Sequence, residues 1–483
     1  MMQSTAAFNK GIQAIQVYSL FYSDNITVSQ EKKFLDAVLS EPKPLDLESV
    51  DKVLSNAFAL LPFQPNRSRL QDPKPIHLVI PSLEKRAPLP DGTSVPEESG
   101  LIDSLGFLTC SDANLSLFVR YSTLFEKVCG PIYYWLFNSR VNEFIYESER
   151  FKPQSYGPPI VGRIGFIQEA GYKLRAIANP GRVFQRVLEP LGTYLYDRLK
   201  DLPWDCTHDQ TKPLQPVSEH LKSGQSVTCF DLSNATDLFP LSIQIKILEH
   251  LLPNNKDHVD LFREISQGNW YYGNQKRTIS WTVGQPLGLY PSFASFALAH
   301  GVILLGLLNK PYHGEFYILG DDVVILDDSL ADRYHTFMLS IGCKISIQKS
   351  IRSKLIAEFA GKLITSDSVV IQMKHRHISD DSFIDLAKQL GPNSLFIFKP
   401  LQRRVLSYLS SIPDFLGGLG WNSAGIPLRD RINFILEEKQ PSPLLTDYTS
   451  YVVRNFYKSM IYNNYVAKRK VDTITFLHDY ALD

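Results

Sequence analysis

The chain has 483 residues, with a hydrophobic fraction of 44% and a charged fraction of 21%. This composition excludes a wholly disordered chain, and the length is sufficient for several subdomains around a large core. Its 50 lysines and arginines balance 50 aspartates and glutamates, which excludes a protein that coats nucleic acid by bulk charge but not one with a local basic channel.

The cysteines and the most apolar segment indicate the compartment. The five cysteines are far apart and form no CxxC pair, which favours a reduced, intracellular protein without structural zinc. The first 22 residues contain one cation, Lys10, and no long apolar run, so no secretory or arginine-rich transit signal is predicted. The apolar stretch Phe296–Leu308 is short for a membrane span. We therefore expect no stable membrane insertion and an intracellular location, in the cytoplasm rather than the mitochondrion.

Helical patterns dominate the first 155 residues. Apolar residues recur at helical spacing from Leu47 to Leu61, and Pro62 ends the pattern. This spacing predicts an amphipathic helix with one buried face. No pattern in this region is typical of catalysis or of ligand binding.

A basic segment follows in the chain. Arg163–Arg186 contains five cations and one acid, Glu169, although the whole chain is neutral. Apolar residues over 183–199 recur at helical spacing and predict a helix, which Pro190 is expected to kink or interrupt.

The middle third alternates strand and helix patterns. In order, these are a strand at Ser226–Phe230 ending at Asp231, a helix over Leu241–Leu252, a strand at Thr278–Val283, a helix over Pro291–Leu308, and two strands within Glu315–Leu326 around Gly320-Asp321-Asp322. This order predicts an α+β fold with helices on one face of a sheet.

Acidic residues follow two of these apolar strands. Asp321 and Asp322 occupy a hairpin tip, whereas Asp231 ends a strand and Asp237 lies six residues further on. Structural roles are the alternative, because Gly and Asp are common in turns and Asp237 or Ser233 could cap the next helix. Carboxylates beside strongly apolar strands are costly unless a cation compensates them. Carboxylates from neighbouring strands suit two Mg²⁺ ions that assist an in-line displacement at phosphate.

The glycine-rich loop Gly284–Ser292 leads into the apolar helix. Its glycines allow close approach of the backbone to a ligand, and Ser292 could cap the helix or hydrogen-bond a ribose. His300 lies eight residues later, about two turns along the helix. A lone histidine on an apolar helix is more often a packed core residue than a ligand, and we favour that interpretation.

Near the C-terminus, Tyr451–Lys470 carries five cations, no acid and several aromatic residues. We favour an amphipathic surface helix whose aromatic side chains pack inward. A surface that faces nucleic acid is the alternative, since cations hold phosphates and aromatic rings stack on bases.

Taken in order, the basic segment, Asp231–Asp237, the glycine-rich loop with its helix, the Gly-Asp-Asp hairpin and a lysine-bearing strand resemble the palm and fingers of viral RNA-dependent RNA polymerases. The runs Leu202–Gln210, Asp231–Asp237 and Gly284–Gly288 are similar to the narnavirus and mitovirus group, with ourmia-like viruses close by. The resemblance covers residues 161–362. The Gly-Asp-Asp triplet alone is a weak signal, but five motifs in this order are a strong one.

The resemblance implies an α+β fold shaped as a right hand of fingers, palm and thumb, with an antiparallel-sheet palm and helix-rich fingers and thumb. Residues 1–155 would be an N-terminal extension with part of the fingers, and residues 156–225 the fingers with the basic nucleotide-binding motif. Residues 226–365 would form the palm, and residues 366–483 the thumb and C-terminal part.

It also implies the catalytic residues. Asp231 and Asp321 would be the main ligands of two Mg²⁺ ions, for which Mn²⁺ is a possible substitute, and Asp322 an auxiliary ligand. Lys349 would protonate the leaving pyrophosphate as a general acid, with Lys344 as the rival for that role.

The substrate-binding residues are implied in the same way. Asp237 would lie near the incoming ribose and help to recognise its 2′-hydroxyl. The other implied contacts are Lys173, Arg175 and Arg182 at the triphosphate, with Arg186 a weaker member, and Gly288, Ser292 and His300 near the template and the sugar. Many such polymerases carry an asparagine on the helix after the glycine-rich loop; Phe293–His300 contains none, and His300 is the candidate for its role.

The implied activity is RNA-directed RNA synthesis from NTPs for a viral genome. Template RNA, nascent RNA and NTPs would be the partners, without an obligatory capsid partner. A reverse-transcriptase-like polymerase shares the palm carboxylates and is one alternative. A non-catalytic RNA-binding protein that tethers a genome is the other, and it would bind RNA equally well with or without Mg²⁺.

Overall fold

The computed structural model describes mainly residues 25–75, 112–128, 158–169, 173–371 and 391–410, with short pieces at 11–12, 15, 86–88, 94–96, 142, 383–384, 387, 419 and 421. The segment Tyr451–Lys470 lies outside the described residues, as does most of the predicted thumb.

The described helices and strands alternate along most of the chain. The helices are α1 (Val28–Val38), α2 (Leu47–Leu60), α3 (Asp112–Arg120), α4 (Arg182–Lys200), α5 (Leu214–Lys222), α6 (Ala235–Leu238), α7 (Leu241–Leu251), α8 (Lys256–Ser266), α9 (Ser292–Leu308), α10 (Asp328–Ser340) and α11 (Pro400–Ser410). The strands are β1 (Arg86–Pro88), β2 (Ser94–Pro96), β3 (Ile160–Glu169), β4 (Lys173–Pro180), β5 (Val227–Ser233), β6 (Asn269–Tyr272), β7 (Arg277–Ile279), β8 (Phe316–Leu319), β9 (Asp322–Ile325), β10 (Lys344–Ile345), β11 (Ile351–Ser353), β12 (Ile356–Phe359), β13 (Lys362–Thr365) and β14 (Val369–Ile371).

An antiparallel sheet forms the predicted palm. Its strand order is β10-β5-β9-β8, and β11 pairs with the first part of β5. The run Leu202–Gln210 covers the edge strand β8, because the Cys206 N–H donates to the Ile318 carbonyl (2.8 Å) and the Ile318 N–H to the Trp204 carbonyl (3.0 Å). Covering an edge in this way satisfies backbone groups that would otherwise be open to another strand.

A mixed sheet of order β4-β3-β6-β7 joins two strands of the predicted fingers, β3 and β4, to two strands from the range predicted as palm. In it β3 and β6 are parallel and the other pairs are antiparallel. One face is buried against the core through Ile164, Ala178, Trp270 and Ile279. Side chains alternate between the faces of a strand, so Lys173 and Arg175 lie on the other face of β4. The strand pattern of this basic segment was not recognised in the sequence. A separate antiparallel sheet, β12-β13-β14, follows the palm and continues past residue 365.

The long helix α9 lies at the centre of the core. Nearly all of its residues are buried, and it packs against α2 and α4. A Cβ atom on Gly306 would lie 2.1 Å from the Val53 carbonyl oxygen. Glycine therefore permits the close approach of α2 and α9, and the N-terminal region contributes to the same core as the palm. In the described part of the chain, no helix is both long and apolar enough to span a bilayer.

Two helix predictions are tested by this fold. The helix predicted at Leu47–Leu61 is confirmed as α2. The predicted interruption at Pro190 is wrong, since α4 continues through it to Lys200. Buried apolar side chains along α4 hold the helix in the core, and this burial offsets the roughly 3 kcal/mol that an internal proline costs.

Three strand predictions need correction. The strand before Asp231 continues to Ser233, because β9 and β10 both pair with this part of β5. The strand predicted at Thr278–Val283 is shorter and earlier, since residues beyond β7 leave the sheet and Thr282 bonds to the Val38 carbonyl instead. Lys349 lies in a turn between β10 and β11 and not in a strand. The hairpin at Glu315–Leu326 is confirmed as β8 and β9.

Candidate active site

Three predicted metal ligands meet at one end of the palm sheet. Asp231 on β5 is the register partner of Asp322 on β9, and Asp321 occupies the tight turn that connects β8 to β9. The Lys349 Nζ atom lies 3.3 Å from Asp231 Oδ2, and its side chain is 68% exposed. The fold thus brings together all four residues that the sequence predicted as catalytic.

The carboxylates at this site repel one another. Burial raises the pKa of Asp322 to about 6, and the negative charges of Asp321, Glu358 and Asp231 add to that rise. The pKa of Asp321 is also raised, first by burial and then by Asp231, whereas Lys173 and Arg175 act in the opposite direction. Neighbouring carboxylates with raised pKa values form a donor set that a cation would stabilise.

A second observation, at one carboxylate oxygen of Asp231, also indicates that these carboxylates suit a divalent cation. The Asp231 Oδ2 atom is buried and accepts no hydrogen bond from the described residues, although Lys349 lies close to it. Mg²⁺ binds through a few carboxylates and retains several waters. Within the described ranges, no group of three acidic, histidine or cysteine side chains is already positioned to bind a metal ion. The carboxylates would therefore have to turn towards an ion that binds here.

The finger strand β4 supplies the cations of the site. Lys173 is exposed, Arg175 is half-buried, and both lower the pKa of Asp321. Arg182 begins α4, but its side chain lies outside the described residues. Arg186 forms an ion pair with Glu189 one turn along the same helix. This ion pair accounts for the arginine without a role in ligand binding. Lys173 and Arg175 are therefore the described cations that face the carboxylates.

The glycine-rich loop packs against protein backbone. A Cβ on Gly288, whose φ is +142°, would lie 1.8 Å from the Ala178 carbonyl oxygen of β4. The Gln185 side chain donates to the Gly288 carbonyl (2.6 Å) and accepts from the Tyr290 N–H (2.7 Å). Gly284 is similarly close to the backbone at Thr236 and donates to the Asp237 carbonyl. These glycines join the fingers to the palm, whereas the sequence suggested close approach to a ligand.

Ser292 and His300 are both interior residues. Ser292 is 1% exposed, and its hydroxyl bonds to the Pro286 carbonyl (2.6 Å) and the Gln285 side chain (3.1 Å). His300 is fully buried between the carbonyl of Gly320 and the hydroxyl of Tyr334. Neither side chain reaches a sugar in this conformation, because each is enclosed by protein. The structure supports the packing interpretation of His300 over the sugar contact.

Asp237 lies on the short helix α6, which follows β5, and its carboxylate accepts a hydrogen bond from an indole. The Trp281 Nε1–H donates to Asp237 Oδ1 over 2.7 Å. Burial raises the pKa of Asp237 to about 6, and this hydrogen bond partly opposes the rise. The capping alternative is wrong for both candidates: Asn234 precedes α6 and Pro240 precedes α7, and neither helix has a side-chain cap.

The two candidate general acids occupy different places. Lys349 is beside Asp231, whereas Lys344 lines a cavity of about 270 Å³ together with Lys43, Ser40 and Ser242. Its backbone pairs with Ser233, beyond Asp231 on β5. Proximity to the carboxylates therefore favours Lys349.

The sequence did not indicate several residues that organise the site. Trp281, Gln185 and Tyr334 act through contacts between distant segments, and no local pattern distinguishes them from other buried residues. Glu358 was quoted only within a run after the palm, yet it raises the pKa of Asp322. The available signal for Glu358 was an acidic residue within the apolar strand pattern of β12.

An α+β fold whose antiparallel sheet presents paired carboxylates next to basic finger residues defines the class expected for a polymerase palm. The family model for mitovirus RNA-dependent RNA polymerases matches residues 107–440, and the chain belongs to that family. This membership and the antiparallel sheets confirm the predicted family and fold class. The predicted domain boundaries and the roles of the site residues stay predictions.

Similar proteins come from a fungal virus and from a plant. The chain is 30% identical over 266 residues to the RNA-directed RNA polymerase of Cryphonectria parasitica mitovirus 1, covering 54% of this chain and 32% of that protein. It therefore spans about a third of the length of this viral relative. Two uncharacterized mitochondrial proteins of Arabidopsis thaliana are 29% and 28% identical over 174 and 165 residues. Each covers 32% of this chain, with 78% and 65% of the plant proteins matched.

Solved structures with a similar outline are also viral polymerases. The RNA-dependent RNA polymerase of a human picobirnavirus, as an insertion-loop deletion mutant, has a TM-score of 0.49 and 11% identity, with 98% of this chain and 88% of that chain covered. The Sicinivirus 3Dpol RNA-dependent RNA polymerase has a TM-score of 0.41 and 12% identity, with 88% and 89% covered.

Proposed function

We propose that the protein is an RNA-dependent RNA polymerase that replicates a viral RNA genome. It would transfer nucleotides from NTPs to the 3′-hydroxyl of a growing RNA on an RNA template and release pyrophosphate. The observation that carries the proposal is the convergence of Asp231, Asp321 and Asp322 from two paired strands beside Lys349. Membership of the mitovirus polymerase family supports it.

Asp231 and Asp321, with Asp322 as an auxiliary, would hold two divalent ions, Mg²⁺ or its substitute Mn²⁺. When bound, such ions activate the attacking hydroxyl and compensate the charge of the leaving pyrophosphate. The raised pKa values of Asp321 and Asp322 support these ligands, as does Asp231 Oδ2, which accepts no hydrogen bond from the described residues.

The cations beside the carboxylates would handle the triphosphate. Lys173 and Arg175 would bind its oxygens and hold it in line with the 3′-hydroxyl. Lys349 would donate the proton on Nζ to the pyrophosphate oxygen as its bond to the α-phosphorus breaks. Its exposure and its closeness to Asp231 are compatible with a proton donor that recharges from solvent.

Asp237 would recognise the ribose. Its Oδ1 atom accepts from Trp281, and the remaining oxygen would accept from a 2′-hydroxyl. This interaction favours ribonucleotides over deoxyribonucleotides, since the site loses a hydrogen bond with the latter.

The partners and the location are also proposals. Template RNA, nascent RNA and NTPs follow from the activity, and none of these steps needs a capsid protein. We propose an intracellular, cytoplasmic location. The mitochondrion is the compartment to test against it, because two matched plant proteins are named as mitochondrial. Fractionation of host cells that contain the protein would decide between the two.

Labelled-NTP incorporation on a short RNA template with Mg²⁺ tests the activity. The wild type is compared with Asp321→Asn and with Asp332→Asn, which neutralises an exposed acid that is ion-paired to Arg352. Template-dependent RNA product that only Asp321→Asn loses supports the polymerase. Efficient use of dNTPs would indicate the reverse-transcriptase-like alternative. RNA binding that is independent of Mg²⁺, with no incorporation by any variant, would indicate the tethering protein.

A further inference from the structure

His300 connects two helices to the turn that carries Asp321. Its Nδ1 atom lies 2.8 Å from the Gly320 carbonyl oxygen, and its Nε2 atom lies 2.7 Å from the Tyr334 hydroxyl. A carbonyl only accepts hydrogen bonds, so Nδ1 carries the proton. Nε2 of the neutral ring then accepts from Tyr334. The carbonyl thus fixes the tautomer, and the two partners together fix the orientation of the ring.

The Gly320 carbonyl belongs to the peptide group that begins Asp321. This group is planar, so holding its oxygen also sets the direction of the Asp321 N–H and Cα. That N–H donates to the carboxylate of Asp321 itself. A continuous chain of contacts therefore runs from the His300 ring through one peptide group to a proposed metal ligand.

The same helix supports the turn at a second point. Gly320 has a φ of +59°, and a Cβ there would lie 2.7 Å from the Phe293 ring. Phe293 and His300 are seven residues apart on α9, which places them on one helix face. The turn is thus pressed against the helix at its Cα and bonded to it at its carbonyl.

We propose that His300 is a positioning residue that orients Asp321 for metal binding through the Gly320–Asp321 peptide, with Tyr334 fixing the orientation of its ring. This inference rests on the proposed function for its catalytic consequence, but its effect on the carboxylate is independent of turnover. Partners one step removed from a metal ligand commonly contribute about 10- to 100-fold in affinity or activity.

Two substitutions separate this role from packing. His300→Asn retains an N–H donor close to the Nδ1 position, and His300→Gln retains a polar group close to the Nε2 position. We expect His300→Asn to hold Mn²⁺ within about threefold of the wild type, and His300→Gln to weaken Mn²⁺ binding about 10- to 100-fold. His220→Asn is the matched control, because that histidine contacts the Ser226 carbonyl at the far end of β5 (3.1 Å).

Mn²⁺ affinity is measured by electron paramagnetic resonance without RNA or NTP, and nucleotide incorporation is measured alongside it. For His300→Gln we expect turnover to fall with the KM for NTP nearly unchanged, and added Mn²⁺ to restore part of the rate. Equal losses of Mn²⁺ affinity in His300→Asn and His300→Gln would overturn the proposal in favour of packing. Wild-type affinity in a folded His300→Gln protein would do so as well.

The tautomer provides a test on the wild type itself. Nitrogen-15 NMR of the labelled histidines is expected to show His300 protonated on Nδ1. Tyr334→Phe should keep that proton on Nδ1 and shift the Nε2 signal, because Nε2 loses its hydrogen-bond donor. A ring protonated on Nε2 overturns the inference even if the His300 variants do not fold. If the wild type incorporates no nucleotide, the proposed polymerase function fails, whereas the tautomer and Mn²⁺ measurements still decide the role of His300.

Discussion

The end of the palm sheet and the glycine-rich loop with α9 differ in how their polar groups are satisfied. At the end of the sheet, the side chain of Asp321 reaches solvent, although the surrounding protein desolvates its carboxylate enough to raise its pKa. One oxygen of Asp231 accepts no hydrogen bond from the described residues. In the loop and helix, Ser292 and His300 are buried and bonded to backbone carbonyls. The first region presents groups to a ligand, and the second holds the first in place.

The family resemblance implies a substrate or metal contact for all of these residues. The difference in burial and hydrogen bonding divides them into residues available to bind a ligand and residues that hold the site in place. Clustered carboxylates that repel one another are costly until a cation compensates their charge, so they indicate a ligand site. Buried hydroxyl and imidazole groups with complete hydrogen bonds stabilise the fold whether or not a ligand is present. The predictions below test that separation.

The largest contrast is expected between Asp321→Asn and Ser292→Ala. Loss of the Asp321 charge should reduce incorporation by at least about a thousandfold, because the charge of the transition state would lose its compensation. Ser292→Ala should retain activity within about fivefold, since it removes hydrogen bonds within the protein. Single-turnover incorporation on one template measures both rates. A thousandfold loss in folded Ser292→Ala would place that hydroxyl at the substrate.

The two lysines sharpen the comparison. Lys349→Gln is expected to reduce the maximal incorporation rate about a hundredfold, as removal of a general acid commonly does. Lys344→Gln should change it by less than about threefold, since Lys344 lines a separate cavity. Equal losses in both variants would contradict the assignment.

Trp281→Phe tests the contact that holds Asp237. Removing the indole N–H frees the carboxylate and raises its pKa further, so its oxygen becomes a poorer partner for a 2′-hydroxyl. Discrimination between an NTP and the matching dNTP should fall about five- to tenfold, the value of one hydrogen bond. The ratio of kcat/KM for the two substrates measures it. Trp270→Phe is the control and should leave the ratio unchanged, because it removes a buried indole N–H that has no hydrogen-bond partner among the described residues.

The smallest effect is on stability in the absence of a divalent ion. The Asp322 pKa of about 6 exceeds its ordinary value of 3.8, so the folded state holds this proton more tightly, and the stability from this group is lost as pH rises through 6. His300 acts in the opposite direction: its pKa of about 4 lies below 6.5, so its contribution is lost as pH falls towards 4.

Asp322→Asn should therefore stabilise the metal-free protein at pH 8 by about 1 kcal/mol, and by less at pH 5. Unfolding by urea in EDTA measures this difference. Mg²⁺ should stabilise the wild type more than the variant, because the ion compensates the negative charges that repel one another in the wild type. A destabilised Asp322→Asn protein at pH 8 would show that repulsion does not dominate at this position.

Local sequence was sufficient to predict the helices and strands whose hydrophobic pattern is strong. The β-branched and aromatic runs around Gly320-Asp321-Asp322 predicted the hairpin. Helical spacing predicted α2, and a long apolar run predicted α9, because these patterns reflect which side chains must leave water. The order of the motifs also indicated the family and the three carboxylates. Pro190 shows the limit of such reasoning, since burial of α4 outweighs a local preference.

Only the tertiary structure decided which polar residues are enclosed by protein contacts and which remain at the end of the palm sheet. The contacts of His300 with Gly320, Asp237 with Trp281, and Gln185 with Gly288 join segments that are 20, 44 and 103 residues apart. A histidine, a serine or a glycine has the same local signature in either role. Burial and hydrogen-bond partners distinguish the roles, and both arise when distant segments pack together.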